Sequence, residues 1–292
     1  DEIIIEASKK NKNILVVPIS FVSEHVETLV ELDIEYNELA IENGAKAYHR
    51  TKTVSEDDKF IEVLNDIRHA NITDDVISTL KERIGLTCID VIKPIYLVSH
   101  NVQALEINKM ELERIKGPKF TYKAKYGGDV GKIEFLKNNC LAYETLDLKI
   151  GASVMMLKNT YADKGVINGS VGIIKEINKY PIVDFEGITI EVPMEVWNLE
   201  TWDHVLGKLV IEASIEQIPL IFAWAITVHK SQGMTLNKIR CNLSKVFTYG
   251  QSYVALSRVK SLEGLYIDDI DFDKIRTNIE IVKFYDSMEK SD

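Results

Sequence analysis

The sequence predicts an α/β fold, a parallel sheet flanked by helices, interrupted by a small β-barrel. Three observations carry this. Residues 94–101, PIYLVSHN, form an apolar run ending in Ser-His-Asn, and VQALEINKMELERIKG follows with helical periodicity and a closing Gly. That is the strand–turn–helix unit from which parallel sheets are built. The same grammar returns near the C-terminus, with LIFAWAITV as strand and lead-in, KIRCNL as strand, SYVALSRV as helix and GLYIDDI as strand. Between them, from Leu148 to about Glu212, the strand-like pieces ASVMMLKN, SVGIIKEI, PIVDF and ITIEV are separated by Asn-Gly, Gly and Pro turns with no long helix among them. The predicted organisation is one α/β domain over 1–147 and 213–292, with a β-barrel inserted at 148–212.

Taken in order, VSEHVETLVEL over 22–32 spaces its apolar residues for a short amphipathic helix, and DIEYNEL alternates as a brief strand would. ENGAKAYHRTKTVSEDD reads as a polar loop. In FIEVLNDIR, Phe60, Val63, Leu64 and Ile67 fall at i, i+3, i+4 and i+7, and Asp57 and Asp58 stand where carboxylates favour the helix dipole. DDVISTLKERI is the next predicted helix. In the middle region Asn168-Gly169-Ser170 reads as a hairpin turn. Trp197 and Trp202 read as core packing or as an aromatic stacking platform.

With 46% hydrophobic and 27% charged residues over 292 positions, the chain has the make-up of an ordinary soluble protein of one or two domains. No apolar stretch approaches the roughly 18–20 residues of a membrane span, the longest running from Pro219 to Val228. The opening, Asp-Glu and then Lys-Lys-Asn-Lys, is unlike a secretory signal, and the absence of an initiator Met suggests a piece of a longer protein. Cys88, Cys140 and Cys241 lie far apart in no metal-binding spacing, as expected of reduced thiols in an intracellular protein. A formal charge of −10 weighs against a surface coated in nucleic acid, yet leaves room for a narrow groove with local Lys and Arg.

Two stretches carry chemistry. At His229–Thr235 an apolar run stops at a turn offering Ser231, Gln232, Gly233 without a side chain, and Thr235: hydroxyls, an amide and open backbone N–H groups suited to a phosphate chain, with Lys230 adding charge. A capped strand-to-helix turn is the other reading. Arg258, closing SYVALSR, is a surface arginine in an ion pair or a guanidinium reaching the γ-phosphate of a nucleotide. Spacing does not choose between these.

AWAITVHKSQGMTL followed by VFTYGQSYVALSRVKSLEGL, and preceded by LKIGASVMMLKN, NGSVGII and FIEVLNDIR, closely resembles the C-terminal half of the Pif-type (petite integration frequency) helicases. These form the 5′-to-3′ branch of superfamily 1, together with RecD-like enzymes. The resemblance runs from about Val30 to Ile267 in the family's order. It implies a RecA-like second helicase lobe interrupted by an SH3-like barrel termed 2B, with residues 1–30 a linker from, or remnant of, a first lobe. By position, His229, Lys230, Ser231, Gln232 and Thr235 resemble residues that track single-stranded DNA, with Gly233 allowing close approach. Ser99 and Asn101 stand where the family has a phosphate-contacting Thr and Asn. Arg258 resembles the γ-phosphate sensor, with Tyr253 and Ser257 supporting its helix, and Arg50 takes the place of a second arginine, flanked by His49 and Thr51.

The resemblance implies ATP and Mg2+ as cofactors, bound mainly by a first lobe, single-stranded DNA as partner, no membrane, and an intracellular place with DNA. GxxxxGK followed by Ser or Thr, the phosphate-cradling loop, does not occur in the sequence, GGDVGK at 127–132 being the nearest approach. The chain by itself is therefore expected to hydrolyse no ATP. The alternative expectation is a helicase-derived module without catalysis that holds single strands or a partner.

Overall fold

The computed structural model describes residues 2–16, 35–50, 57–203, 207–246 and 248–277. They divide into two compact units, Asp1–Thr87 with Ser231–Asp292, and Cys88–Lys230.

The first unit opens with α1 (Glu2–Lys9), β1 (Asn13–Val16), α2 (Tyr36–Glu42) and β2 (Ala47–Arg50). β1 and β2 pair in parallel, from Asn13 opposite Ala47 to Val16 opposite Arg50. The helix expected over 22–32 lies outside the described residues. DIEYNEL, expected as a strand, enters helix α2 instead: Tyr36, Leu39 and Ala40 also fit a helical period, and seven residues are too few for alternation to exclude it. AYHR, expected in a loop, is strand β2.

Next, α3 (Asp58–Arg68) buries the face its periodicity predicts, with Phe60, Val63, Leu64 and Ile67 each 1% exposed. Asp57 caps it: Oδ1 accepts from the Phe60 N–H at 3.0 Å, and Oδ2 accepts from the Leu262 N–H at 2.9 Å. One carboxylate thus fixes both the start of α3 and the loop beyond Arg258. In α4 (Asp74–Lys81), Thr73 Oγ1 accepts from the Val76 N–H. This helix stops short of the predicted Ile84.

The second unit begins with β3 (Ile95–Val98) and α5 (Asn101–Arg114), the strand–turn–helix expected from the sequence. There follow β4 (Phe120–Lys123), β5 (Lys125–Gly128), α6 (Val130–Asn139), β6 (Thr145–Leu148), β7 (Ser153–Met156), β8 (Val171–Ile177), β9 (Pro181–Phe185) and β10 (Ile188–Glu191). The unit closes with β11 (Glu195–Asp203), β12 (Lys208–Gln217), β13 (Leu220–Phe222) and β14 (Ala225–Thr227). β14 lies parallel to β3, Ala225 opposite Tyr96 and Thr227 opposite Val98.

Antiparallel pairing also reaches beyond the stretch 148–212: β4 pairs with β6, and β5 pairs with β12. The pairings among the described residues include a five-stranded antiparallel order, β10-β9-β8-β7-β13, within the stretch expected as a small barrel. The β4–β6 ribbon shares its core: Leu146, Leu148, Val154, Met156, Ile174, Val183 and Leu220 form one apolar cluster, with Phe120 and Tyr122 packed against it. A second small core joins α6 to the three-stranded sheet β11-β12-β5 through Leu136, Ala213 and Ile215. Asn168-Gly169-Ser170 does not form a tight hairpin. It ends the longer connection 157–170, with Ser170 Oγ accepting from the Ile167 N–H.

The first unit resumes with β15 (Ile239–Asn242), α7 (Gln251–Leu256) and β16 (Leu265–Asp269). β15 and β16 are parallel neighbours. On the other side of Ile267, its N–H donates to the Arg83 carbonyl and its carbonyl accepts from the Gly85 N–H, so the residues expected to extend α4 serve the sheet. α7 ends at Leu256, before the predicted Val259, which forms a bridge with Leu236 instead.

Candidate functional site

The division between the units falls between Lys230 and Ser231, inside the motif His229–Thr235. In the second unit the parallel strands β3 and β14 end side by side, and the Val228 N–H donates to the Val98 carbonyl at 3.0 Å. Ser99 and Asn101 follow one strand, His229 and Lys230 the other. Asn101, His229 and Lys230 are exposed and Ser99 is half-buried. The carboxyl end of parallel strands, beside a helix N-terminus, is where α/β sheets receive anionic ligands. The Lys230 backbone is anchored below, its N–H donating to Thr227 Oγ1 at 3.3 Å. A recess of about 60 Å³ beside it is lined by Asn101, Leu105, Tyr143, Phe222, Thr227 and Lys230.

In the first unit the motif continues as a tight turn, the Met234 N–H donating to the Ser231 carbonyl at 3.1 Å. Gly233 occupies the third position at φ +72, the left-handed conformation that position requires. Nothing lies within 4 Å of where its Cβ would be, so the turn presents open backbone. Gln232 is exposed and Thr235 half-buried, whereas Ser231, expected to face phosphate, is fully buried. The turn is tied directly to the Arg258 segment: the Leu236 N–H donates to the Arg258 carbonyl at 2.8 Å, and the Lys260 N–H donates to the Leu236 carbonyl at 3.0 Å.

Arg258 is 4% exposed, and Ser257 and Tyr253 are buried with it. Its Nε donates to the Val254 carbonyl at 3.0 Å and its Nη2 to Ser257 Oγ at 2.9 Å, while Ser257 Oγ donates to the Val254 carbonyl at 3.1 Å. The guanidinium is therefore folded back on the end of α7. Of Arg50, closing β2 opposite Val16, the structure describes the backbone alone, and Thr51 lies outside the described residues.

Among the described residues no group of three His, Cys, Asp or Glu could hold a metal ion, and no helix is long and apolar enough to cross a membrane. Trp197 carries Lys158 Nζ over its ring at 4.6 Å, so one face is taken, while Trp202 stands half exposed. Sequence reasoning overlooked Asn108, two helical turns from Asn101 and buried. A polar residue on the inward face of α5 was the signal available.

Two family models match, that of the DNA helicase Pif1 2B domain over residues 133–177 and that of ferrochelatase over residues 1–72. The sequence is 34% identical over 259 residues to the ATP-dependent DNA helicase PIF1 of Xenopus laevis, covering 84% of this chain and 39% of that protein. Against PIF1 of Homo sapiens it is 31% identical over 243 residues, covering 80% and 36%. The chain is a homologue of the Pif1 helicases. It spans about two fifths of the length of these relatives. The crystal structure of Pif1 helicase from Candida albicans superposes with a TM-score of 0.68 at 25% identity, covering 97% of this chain and 78% of that one. Bacteroides Pif1 bound to single-stranded DNA gives 0.63 at 24% identity, over 100% and 78%, a likeness of fold. The Pif1 2B match runs from the middle of α6 through β8, inside the antiparallel part, and the parallel strands belong to the RecA-like α/β fold of the Pif1 neighbours. The ferrochelatase match concerns 72 of 292 residues, a stretch that the Pif1 structures also span.

Proposed function

We propose that this chain is the C-terminal part of an ATP-dependent 5′-to-3′ DNA helicase, gripping single-stranded DNA and supplying Arg258 to ATP held by a first lobe. The observation that carries the reading is the backbone pair Leu236–Val259, which joins the open turn at Gln232–Gly233 to the arginine segment. The Arg258 carbonyl and the Lys260 N–H both bond Leu236, three residues past Gly233. Support also comes from Pif1 relatives named as ATP-dependent DNA helicases, and from Bacteroides Pif1 structures with ADP-AlF4 and with single-stranded DNA.

In this mechanism Lys230, Gln232 and the Gly233 backbone hold DNA phosphates, with Asn101 and Ser99 at the neighbouring strand end. Arg258 turns from Val254 and Ser257 toward the γ-phosphate. Its guanidinium donors suit phosphate oxygens, the chemistry ATP supplies when bound. Mg2+, which keeps several waters and is held by nucleotide phosphates with one or two protein groups, would be bound with ATP on the first lobe. A non-catalytic strand-holding module is the second reading, favoured by one observation: Arg258 is already hydrogen-bonded within its own helix end.

Turnover decides between them. The chain alone is expected to hydrolyse no ATP. Joined to the phosphate-loop lobe of a Pif1 relative, it is expected to support DNA-stimulated hydrolysis that Arg258→Ala lowers by roughly 10³-fold or more. Turnover by the pure chain, or indifference to Arg258→Ala, contradicts the proposal.

A further inference from the structure

We infer that Asn108 is a positioning residue for the Lys230 end of the candidate DNA track; the inference rests on the DNA-facing role proposed above for Lys230. Asn108 lies mid-way along α5 and is 4% exposed. Asn is a poor helix former, and a buried amide is costly unless its hydrogen bonds are made. Both are made to one residue: Nδ2 donates to the Ala225 carbonyl at 2.8 Å, and Oδ1 accepts from the Ala225 N–H at 2.9 Å.

The geometry explains the choice of residue. β14 has three residues and pairs with β3 through the groups on either side of Ala225, the Tyr96 N–H donating to the Trp224 carbonyl at 2.8 Å. The N–H and C=O of Ala225 itself point the other way, toward α5. The Asn108 amide offers one donor and one acceptor side by side, as a neighbouring strand would, and pins a strand too short to hold its own place. Three residues past that strand stands Lys230, its N–H on Thr227 Oγ1. Asn101, at the start of α5, shares with Asn108 and Ala104 the helix face that lines the recess beside Lys230. Asn108 therefore sets where Lys230 stands relative to Asn101.

Asn108→Leu keeps the heavy-atom count and branching and removes both bonds; Asn108→Asp keeps the acceptor for the Ala225 N–H and serves if the larger Leu fails to fold. Amide hydrogen exchange is read at residues 225–230, and affinity for a fluorescent oligo-dT is read alone and in a cycle with Lys230→Ala. The inference predicts at least tenfold faster exchange from Ala225 through Lys230, about tenfold weaker binding, and no further loss when Asn108→Leu is added to Lys230→Ala. Faster exchange confined to Ala225, or losses that add, would reduce Asn108 to a local structural bond and overturn the inference. Should the unaltered chain bind no oligo-dT, the DNA role of Lys230 falls, while exchange at 228–230 still decides whether Asn108 positions it.

Discussion

Gly233 and Cys241 show how far single residues can be read. Gly233 needs its φ of +72 yet has empty space where a side chain would stand, so Gly233→Ala pays for backbone conformation alone. A loss of about 1–2 kcal/mol in urea unfolding is expected, and no change in stability would show that the turn relaxes to another form. The Cys241 thiol is pushed up from 9.0 to about 12 by burial, with the nearby Asp268 carboxylate adding to it. Because its folded value exceeds the unfolded one, its contribution to stability is complete below pH 9 and is lost as the pH rises toward 12. At pH 8.5 iodoacetamide is expected to leave Cys241 unmodified until denaturant is added; native-state labelling at the denatured rate would contradict its burial. The spacing of the motif showed which residues share the turn at 231–235, but not that Ser231 faces inward. Which side of a turn a hydroxyl takes is settled by tertiary packing that no short pattern encodes.

At the scale of elements, legibility followed length and periodicity. α3 was readable because four apolar residues repeat at helical spacing and Asp57 marks its start; β3 with α5 was readable because a strand, a turn and a helix each carry their own signal. The β4–β6 ribbon was not, since strands of four residues give two alternations at most. SYVALSRV overshot α7 because nothing local stops a helix there: Val259 leaves it to bridge Leu236, a long-range contact. The junction of β5 with β12 offers a test. Gly128, at φ +99, would place a Cβ 2.2 Å from the Glu212 carbonyl oxygen, whereas Gly187, at φ +98, has nothing within 4 Å. Gly128→Ala is expected to cost about 2–4 kcal/mol and Gly187→Ala about 1 kcal/mol, measured by denaturant midpoint. Equal costs would mean that the two strands separate easily.

For the whole molecule, a charge of −10 and a DNA-facing role are compatible only if the interaction is local. In one unit Lys230 is exposed at a strand end; in the other Gln232 and bare Gly233 backbone form a turn that the Leu236–Val259 pair links to the Arg258 segment. The resemblance seen in the motifs and the homology to Pif1 helicases agree. The most direct measurement of the central claim is binding of this chain to fluorescent single-stranded DNA across a salt series, beside Lys230→Ala with Gln232→Ala. The account predicts binding that weakens as salt rises, and a double variant with lower affinity and a log–log salt slope shallower by about 0.7, the share of one phosphate contact. Binding of equal strength and equal slope in both proteins would contradict it.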